Sequence, residues 1–292
     1  MQVGVSSSFV RVLKRNILRF LNRIFLWLRI IRCFRGLTLR SSFNLILSSI
    51  FDSLISLFTN PLNPRLICSG IYVCKCNDEF VVYVRGSTDD LYFLLPGREG
   101  SVDRLIQALL KKGDVFIDVG ANVGYYTLIA AKRGCRVIAV EPVPETAAVL
   151  RINLKLNHLD NMVHVVEKCL YKTDGKISIN IPLSGHYGLV SIYHNVVGNA
   201  RSINVLCTTL DSLTKPFDKI KLVKIDAEGA EYDILLGGVN SLSKIEHLII
   251  EASKNIRETI ELLKRNSFQI KPLGFTTYIW ARRKHSPSFQ SI

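Results

Sequence analysis

Short apolar runs alternate with helix-like segments along the chain from residue 101 onward. Residues 115–119 and 136–141 are apolar runs typical of strands buried on both faces, and residues 121–132 between them have the spacing of a helix. Parallel strands joined by helices produce this alternation. We therefore predict an α/β fold for residues 63–281, with a doubly wound, mainly parallel sheet covered by helices on both faces.

The first sixty residues have a different pattern, with the period of an α-helix. On a helical wheel, residues 9–34 separate into a cationic half and an apolar half. The cationic half consists of Arg11, Lys14, Arg15, Arg19, Arg23, Arg29 and Arg32. The apolar half consists of Phe9, Leu13, Ile17, Phe20, Leu21, Ile24, Trp27, Leu28 and Ile31. Residues 43–58 form a second amphipathic segment that Pro61 ends. We predict an α-helical extension over residues 1–62.

This extension lacks the features of a transmembrane helix or a cleaved signal peptide. No apolar run approaches the roughly 20 residues that span a bilayer, and Arg19, Arg23 and Arg29 interrupt the stretch. Two interpretations remain open. Residues 9–58 lie in the plane of an anionic membrane surface, or the helices cover one another or the following domain and leave their arginines in solvent.

The positive charge of the chain is concentrated in this extension. The net charge is +14, and residues 1–42 contain nine cations and no acid. A domain that binds a phosphate backbone needs a basic surface of its own, which the remaining sequence does not indicate. We therefore expect that nucleic acid is not the partner, and we keep a basic docking arm for RNA or protein as the alternative.

The seven cysteines are scattered through apolar runs and are odd in number. This usage is typical of buried free thiols in a reducing compartment, so we predict a cytoplasmic protein, free or bound peripherally to the cytoplasmic face of a membrane. Cys74 and Cys76 have only Cys68 nearby and no clustered histidine, which argues against a zinc site. We predict no metal site.

The turn after the first apolar run has the sequence Asp118-Val-Gly-Ala-Asn-Val-Gly124. Gly120 and Gly124 let the backbone approach a ligand closely, and the following helix offers N–H groups at its first turn. The next run ends in Glu141, a position from which a carboxylate accepts the hydroxyls of a ribose. These features predict a nucleoside-containing ligand over the turn.

Two details distinguish the cofactors that such a turn could hold. A dinucleotide fingerprint has three glycines, whereas Asn122 stands where the second would be. Asp118 would repel a pyrophosphate, but it suits the cationic amino-acid group of S-adenosylmethionine. The sequence therefore favours S-adenosylmethionine, a methyl donor, over a dinucleotide.

Four segments resemble the FkbM family of methyltransferases: residues 118–127, 140–145, 209–213 and 223–231. The last of them, Val223-Lys-Ile-Asp-Ala-Glu-Gly-Ala-Glu231, is the most specific. Upstream, residues 84–90 and Glu99 are similar to the motif of the family that closes over the donor. The pattern of the family does not extend to residues 1–60.

The resemblance implies a class I methyltransferase fold, which is a Rossmann-like seven-stranded sheet with a reversed last strand, here at residues 275–280. It also implies O-methylation of a sugar, a glycan or lipid-linked sugar, or another small hydroxylated acceptor. By position, Glu141 would hold the ribose and Cys169 would lie beside the adenine. The residues that would line the methionine end of the donor are Asp118, Gly120, Asn122 and Gly124.

A hydroxyl acceptor must lose its proton, so the site requires a base. Asp226 ends an apolar run at the sheet edge where ligands bind in such folds, which makes it the leading candidate, and Glu228 follows it. Asp226 could instead bind the amino group of the donor or cap a helix. His186 is a further candidate base, although its turn-rich loop favours an exposed histidine without a role. Glu251, at the end of a later run, could face the acceptor.

Two other classes of function remain open. The protein could methylate RNA or protein and dock through its basic extension, or it could bind the donor without catalysis. Residues 282–292 have the composition of a flexible tail.

Overall fold

The computed structural model describes residues 7–77, 79–187, 190, 199–274 and 277–284. The chain forms two compact units, Met1–Pro96 and Gly97–Ile292. The boundary predicted between residues 62 and 63 lies inside the first unit, because a small sheet follows the N-terminal helices there. No helix of the described part of the chain is long and apolar enough to cross a membrane.

The first unit combines two long helices with a three-stranded antiparallel sheet in the order β1-β2-β3. Its elements are α1 (Ser7–Cys33), β1 (Phe34–Gly36), α2 (Leu39–Ile55), β2 (Ile71–Cys76), β3 (Phe80–Arg85) and α3 (Asp90–Phe93). Arg85 ties the sheet to α3, because its guanidinium donates to both carboxylate oxygens of Asp90 at 2.7 and 2.8 Å. Cys74 and Cys76 are buried free thiols at alternate positions of β2.

Helix α1 buries a face that differs from the one predicted. Arg23 and Trp27 were assigned to opposite halves of the wheel, yet both are buried and both bind Asp52 of α2. The Trp27 indole donates to the Asp52 carboxylate at 2.6 Å, and Arg23 donates to both of its oxygens. The predicted division fails because the only acid of α2 draws a cation and an indole into one contact.

Helix α2 is amphipathic, but its polar side is the buried one. Thr38 caps the helix by accepting a hydrogen bond from the Ser41 N–H at 3.0 Å. The side chains of Ser41, Asn44 and Ser48 are buried. The residues of α2 and the turn after it that expose large apolar side chains are Leu39, Phe43, Ile46, Ile50, Phe51, Leu54, Ile55 and Phe58. The two helices thus cover one another through Asp52, as one of the two interpretations expected, but the apolar side of α2 stays exposed.

The second unit is built on a seven-stranded sheet in the order β12-β13-β11-β10-β4-β5-β6. Its first elements are α4 (Gly100–Leu109), β4 (Val115–Val119), α5 (Tyr125–Lys132), β5 (Arg136–Val140), α6 (Pro144–Leu156), β6 (Val163–Val166), β7 (Cys169–Leu170), β8 (Gly175–Pro182) and β9 (Ala200–Thr208). The later elements are α7 (Leu210–Thr214), β10 (Ile220–Ile225), α8 (Glu231–Leu236), β11 (Ile245–Glu251), α9 (Ile256–Arg265), β12 (Phe268–Pro272) and β13 (Tyr278–Arg283).

Both faces of this sheet are covered, which explains the unbroken apolar runs in its central strands. In β4, Ile117 and Val119 contribute to one hydrophobic core, whereas Phe116 contributes to the core on the other side. Neighbouring strands divide their side chains in the same way, as Val223 and Leu222 do in β10. The predicted fold class, a mainly parallel doubly wound sheet, is confirmed.

The reversed last strand is present, but it begins later than predicted. β13 pairs antiparallel with both β11 and β12, while the other neighbouring strands of this sheet are parallel. It runs from Tyr278 to Arg283, so Arg282 and Arg283 belong to the sheet and not to a tail. Phe275 and Thr276 of the predicted strand, and residues 285–292, lie outside the described residues.

A separate three-stranded sheet, β7-β9-β8, has its own small core. Cys169 of β7 lies opposite Cys207 of β9, and the two form a disulfide. The prediction of free thiols is therefore wrong for this pair, because parallel pairing of the two strands brings the residues together. The other five cysteines are free.

Candidate active site

The turn between β4 and α5 touches the end of β10. Gly120 has φ +74°, and a Cβ at this position would lie 1.8 Å from the carbonyl oxygen of Asp226. The Asp226 N–H in turn donates to the Val119 carbonyl oxygen. Gly124 has φ +102° and precedes α5, where a Cβ would meet the Leu150 side chain at 2.4 Å. Both glycines are therefore needed for conformation and for close packing.

Glu141, at the end of β5, binds this turn from the side. Its buried carboxylate accepts hydrogen bonds from the Asn122 N–H and the Val143 N–H, each at 3.0 Å. Asn122 has φ +50°, and its side-chain oxygen accepts a hydrogen bond from the next N–H, that of Val123. The turn and the second strand are thus held in one rigid arrangement.

Asp118, at the C-terminal end of β4, is almost fully buried. Its Oδ2 accepts a hydrogen bond from the Thr127 hydroxyl at 2.7 Å, whereas its Oδ1 has no partner among the described atoms. Burial raises the pKa of Asp118, and the Lys224 ammonium opposes this shift. A buried acceptor in this state is suited to a cationic or N–H donor of a ligand.

The neighbouring strand supplies a buried cation. Lys224 of β10 is in register with Asp118 and is 2 % exposed. Its ammonium donates to Asp226 Oδ2 at 2.9 Å and lies 5.1 Å from the centre of the Tyr126 ring. Burial alone would lower the pKa of Lys224, but the adjacent Asp226 and Asp118 carboxylates raise it. Lys224 therefore stays protonated and neutralises part of the acidic site.

Asp226 is held as a carboxylate. Its Oδ2 also accepts a hydrogen bond from the Tyr278 hydroxyl at 2.8 Å. Burial would raise the pKa of Asp226, but Lys224 and these hydrogen bonds lower it well below the usual value. Such a carboxylate is a strong anchor and a weak proton acceptor.

Two further carboxylates share this edge of the sheet. One carboxylate oxygen each of Asp226, Glu228 and Glu251 lies within 4.8 Å of the others. Burial and the charges of Asp226 and Glu231 raise the pKa of Glu228 to about 7. Burial and a hydrogen bond with Asp226 raise the pKa of Glu251 to about 9. At neutral pH the cluster therefore contains one fixed anion, one group near its midpoint and one protonated acid.

Residues 118–270, slightly more than half of the chain, match the model of a family described as the methyltransferase FkbM domain. The chain belongs to this family of methyltransferases. The hexuronic acid methyltransferase AglP of Haloferax volcanii is 27% identical over 155 residues, which cover 52% of this chain and 62% of AglP. The human tRNA (guanine(37)-N(1))-methyltransferase is 40% identical over 78 residues, 27% of this chain and 14% of that protein.

The curated relatives are thus matched over only part of their length, and that part is short in the tRNA methyltransferases. The zebrafish enzyme of that name is 43% identical over 58 residues, 12% of its length. Among solved structures, the methyltransferase FkbM from Methylobacillus flagellatus KT has a TM-score of 0.41 and 16% identity, and the match covers 67% of this chain and 54% of that chain.

Within the FkbM domain, the most specific sequence block forms the carboxylate edge. Its Lys224 and Asp226 make the ion pair, and Glu231 shapes the loop between them and α8. The buried Glu231 carboxylate accepts hydrogen bonds from the Ala227 and Gly229 N–H groups at 3.1 and 3.0 Å. These bonds fold the loop back on itself, so that Glu228 has φ +48°. Glu231 thus fixes the position of Glu228.

Glu99 lies at the start of α4, in the motif expected upstream of the FkbM domain. Its carboxylate accepts a hydrogen bond from the Tyr126 hydroxyl at 2.7 Å and pairs with Arg98 at 2.5 Å. Glu99 is therefore fixed to α5, the helix that follows the donor turn. Its predicted contact with the donor stays a prediction.

His186 and Cys169 do not belong to the cluster of Asp226, Glu228 and Glu251. The exposure of His186 and the free thiol of Cys169 were both predicted wrongly. His186 follows β8 and is 4 % exposed, so the expectation of a solvent-exposed loop histidine is wrong. Cys169 is consumed by its disulfide, which leaves only its backbone for the predicted contact with adenine.

Lys224, Tyr278 and Tyr126 contact the predicted site residues, although they were not among them. A signal was present for Lys224, because a lysine inside an apolar strand is rarely buried without a partner. The sequence contained no such signal for Tyr278, because this residue reaches Asp226 only through the pairing of β13 with β11. The close approach of Glu251 to Asp226 likewise depends on the pairing of β10 with β11, and it assembles three carboxylates that could hold a cation where no metal site was predicted.

Proposed function

We propose that this FkbM-family protein transfers a methyl group from S-adenosylmethionine to a hydroxyl of a sugar, a glycan or lipid-linked sugar, or another small hydroxylated acceptor. The observation that carries this proposal is the contact between the glycine turn and the carboxylate edge, which joins Gly120 directly to Asp226. A donor over the turn and an acceptor at the edge would then meet at one point. The name of the relative AglP, a hexuronic acid methyltransferase, supports the acceptor class.

The donor we propose fits the residues of the turn. The unpartnered Asp118 Oδ1 suits the cationic amino-acid group, and the absence of side chains at Gly120 and Gly124 leaves room for close approach. Asn122 would line the same end. Glu141 would hold the ribose, since a carboxylate oxygen accepts more than one hydrogen bond. When bound, the donor supplies a methyl group that is attached to a sulfonium. Transfer of this methyl group leaves the rest of the donor as a neutral thioether.

For the base, the contacts favour Glu228 over the Asp226 that the sequence placed first. Asp226 is stabilised as an anion by Lys224 and Tyr278, so it gains little by taking a proton. Glu228 lies beside it, half-buried, in a backbone conformation that Glu231 enforces. We propose that Glu228 accepts the proton of the acceptor hydroxyl and that Asp226 orients the acceptor or the amino group of the donor. We retain His186 only as a second candidate base.

A specific experiment tests the reaction. The purified protein is incubated with donor labelled in the methyl group and with fractionated cell extract, and the labelled product is identified by mass spectrometry. We expect a methyl ether on a small hydroxylated compound, and no product with Glu228→Gln. Label in RNA or protein would show that the acceptor is a macromolecule and not a small hydroxylated compound. If no product is labelled but calorimetry shows that the donor binds, a binding protein without catalysis would be favoured.

The second candidate, a methyltransferase acting on RNA, is favoured by the short similarity to tRNA methyltransferases and by the basic first helix. It requires that binding to the acceptor weaken steeply as salt is raised, because phosphate contacts release counterions. Retention of activity on a small acceptor in high salt would argue against it.

We further propose that the protein is cytoplasmic and contacts the cytoplasmic face of a membrane peripherally through residues 9–58. In that compartment we expect the Cys169–Cys207 disulfide to be reduced, because glutathione keeps cytosolic thiols reduced. Alkylation of the protein denatured directly from freshly opened cells tests this expectation, because denaturation exposes the buried thiols Cys74, Cys76 and Cys135. Modification of all seven cysteines agrees with it, whereas protection of Cys169 and Cys207 would contradict it.

A further inference from the structure

The first unit carries an apolar surface that its fold cannot cover. Helix α2 exposes eight large apolar residues along one side together with the turn after it, and Phe43 and Phe58 are 66% and 84% exposed. Isolated apolar residues on a surface are common, but a continuous stripe on a 17-residue helix is typical of an interaction site. We define Phe43, Phe51 and Phe58 as the aromatic stripe.

Helix α2 cannot turn this stripe inward, because its polar side is already bound to the first unit. Ser48 Oγ accepts a hydrogen bond from the Ile67 N–H at 2.8 Å, and Ser41 Oγ accepts one from the Val73 N–H at 3.2 Å. A rotation of the helix would leave these two N–H groups without their acceptors. The outward direction of the aromatic stripe is therefore a fixed property of the fold.

The Asp52 contact fixes the helix in the same way from its other end. Asp52 is the only acid among residues 1–77 of the sequence, and its carboxylate is matched by the buried Arg23 and the Trp27 indole. Asp52 of α2 thus faces α1, and no acid of α1 or α2 is left on their outer surface. The apolar surface lies in a strongly positive environment.

Helix α1 contributes both apolar and cationic groups to its own surface. Leu13, Ile17, Leu21 and Leu28 recur at helical spacing and are each more than 40% exposed. The exposed cations of α1, of β1 and of the start of α2 are Arg11, Lys14, Arg15, Arg29, Arg32, Arg35 and Arg40. A partner that satisfies both helices must offer an apolar phase and negative charge together.

We propose that α1 and α2 dock in the plane of an anionic lipid bilayer, with the aromatic stripe at the boundary between headgroups and acyl chains. An anionic membrane offers both requirements at one surface, whereas a nucleic acid offers charge without an apolar phase. The docking is peripheral, since no described helix is suited to cross a bilayer. This inference refines the proposed membrane contact and does not depend on methyl transfer.

Flotation of the full-length protein with vesicles tests the docking. We expect binding to phosphatidylcholine vesicles that contain about a third phosphatidylserine, and at least about tenfold weaker binding to vesicles of phosphatidylcholine alone. Equal binding to both kinds of vesicle would show that attraction to anionic lipid does not contribute, which would overturn the proposed preference for an anionic bilayer. Absence of binding to either would overturn the proposal.

Matched variants identify the surface. We expect the triple variant Phe43→Ser, Phe51→Ser and Phe58→Ser to lose binding at least about tenfold, since exposed aromatic residues contribute to insertion and little to folding. Leu183→Ser, which changes a 62% exposed apolar residue of the second unit, should bind as wild type. Circular dichroism and donor affinity confirm that each variant is folded.

A second copy of the chain is the main competing occupant of the aromatic stripe. Light scattering of the wild-type protein without vesicles decides between the two. A monomer agrees with lipid docking. A dimer that the triple phenylalanine variant converts to a monomer would assign the stripe to self-association and overturn the proposal.

Discussion

Glu228 is the residue whose surroundings best match the demands on a base near neutral pH. Asp226, two positions earlier, has a lower pKa because Lys224 stabilises its charge, whereas Glu228 has a raised pKa because burial and neighbouring acids oppose its charge. The two carboxylates differ through their contacts and not through their chemistry. This difference in pKa suits Asp226 to a binding role and Glu228 to proton transfer at the same sheet edge.

Replacing Glu228 by Gln should lower kcat by about 10²-fold or more while donor affinity changes only a few fold. A base must be deprotonated to act, so the wild-type kcat/KM should rise with pH and level off above about 7. The variant should lose this rise. Single-turnover rates measured from pH 5 to 9 check both statements. Full activity in Glu228→Gln would remove this residue as the base.

Glu251 should be protonated at neutral pH, and its substitution offers a test that differs from that of Glu228. Its pKa is raised to about 9, so the folded state retains a proton that the unfolded chain releases above its ordinary pKa. This raised pKa makes the free energy of unfolding fall as pH rises between about 4.5 and 9. Glu251→Gln, which keeps a donor towards Asp226 and cannot ionise, should lack this fall and stay folded.

Denaturant titrations of wild type and Glu251→Gln at several pH values measure the difference. The two proteins should have similar free energies of unfolding near pH 5, and wild type should become progressively less stable than Glu251→Gln as pH rises to about 9. Parallel curves across this range would show that Glu251 is ionised in the folded protein.

At the scale of elements, strand pairing decides several contacts that local sequence does not. β7 and β9 bring Cys169 to Cys207 across 38 residues of sequence, and α2 presents its apolar side outward because its hydroxyls and its amide bind the segment before β3. In both cases the individual element matches its pattern. What the local sequence does not predict is the neighbour against which each element packs.

The disulfide should stabilise the β7-β9-β8 sheet only under oxidising conditions. Cys207→Ser should lower the free energy of unfolding by about 2–4 kcal/mol without reductant, and by much less when reductant opens the bond in wild type. Cys135→Ser, which changes a buried free thiol, serves as the control because its effect should not depend on reductant. A reductant-independent loss in Cys207→Ser would contradict a cross-link in solution.

For the whole molecule, the sequence was most informative where the chemistry lies in contiguous segments. The proximity of the turn after β4 to Glu141 could be predicted because they follow successive strands of one sheet. The states of Asp226 and Glu251 could not, since they depend on Lys224, on Tyr278 of a reversed strand, and on pairing between β10 and β11. The periodicity of residues 43–58 indicated an amphipathic helix but contained no information about which side is buried.

Donor binding should be visible as stabilisation of the whole protein. A ligand that binds only the folded state at a hundredfold excess over its Kd adds about 2.7 kcal/mol, which raises Tm by several degrees in a chain of this size. We expect this rise with S-adenosylmethionine and with its demethylated product. Glu141→Ala should show a much smaller rise, while Glu261→Ala, which changes an exposed glutamate of α9, should respond as wild type. No rise in wild type would argue against this donor.

The contact between Gly120 and the Asp226 carbonyl has a consequence for how the enzyme could be altered. Two backbone segments meet there with no space for even a methyl group, so a displacement of either segment is transmitted to the other. In the proposed reaction, a change at this contact would therefore alter donor affinity and acceptor orientation together. An engineer who seeks a new acceptor should leave this junction unchanged and vary the side chains around Glu228 instead.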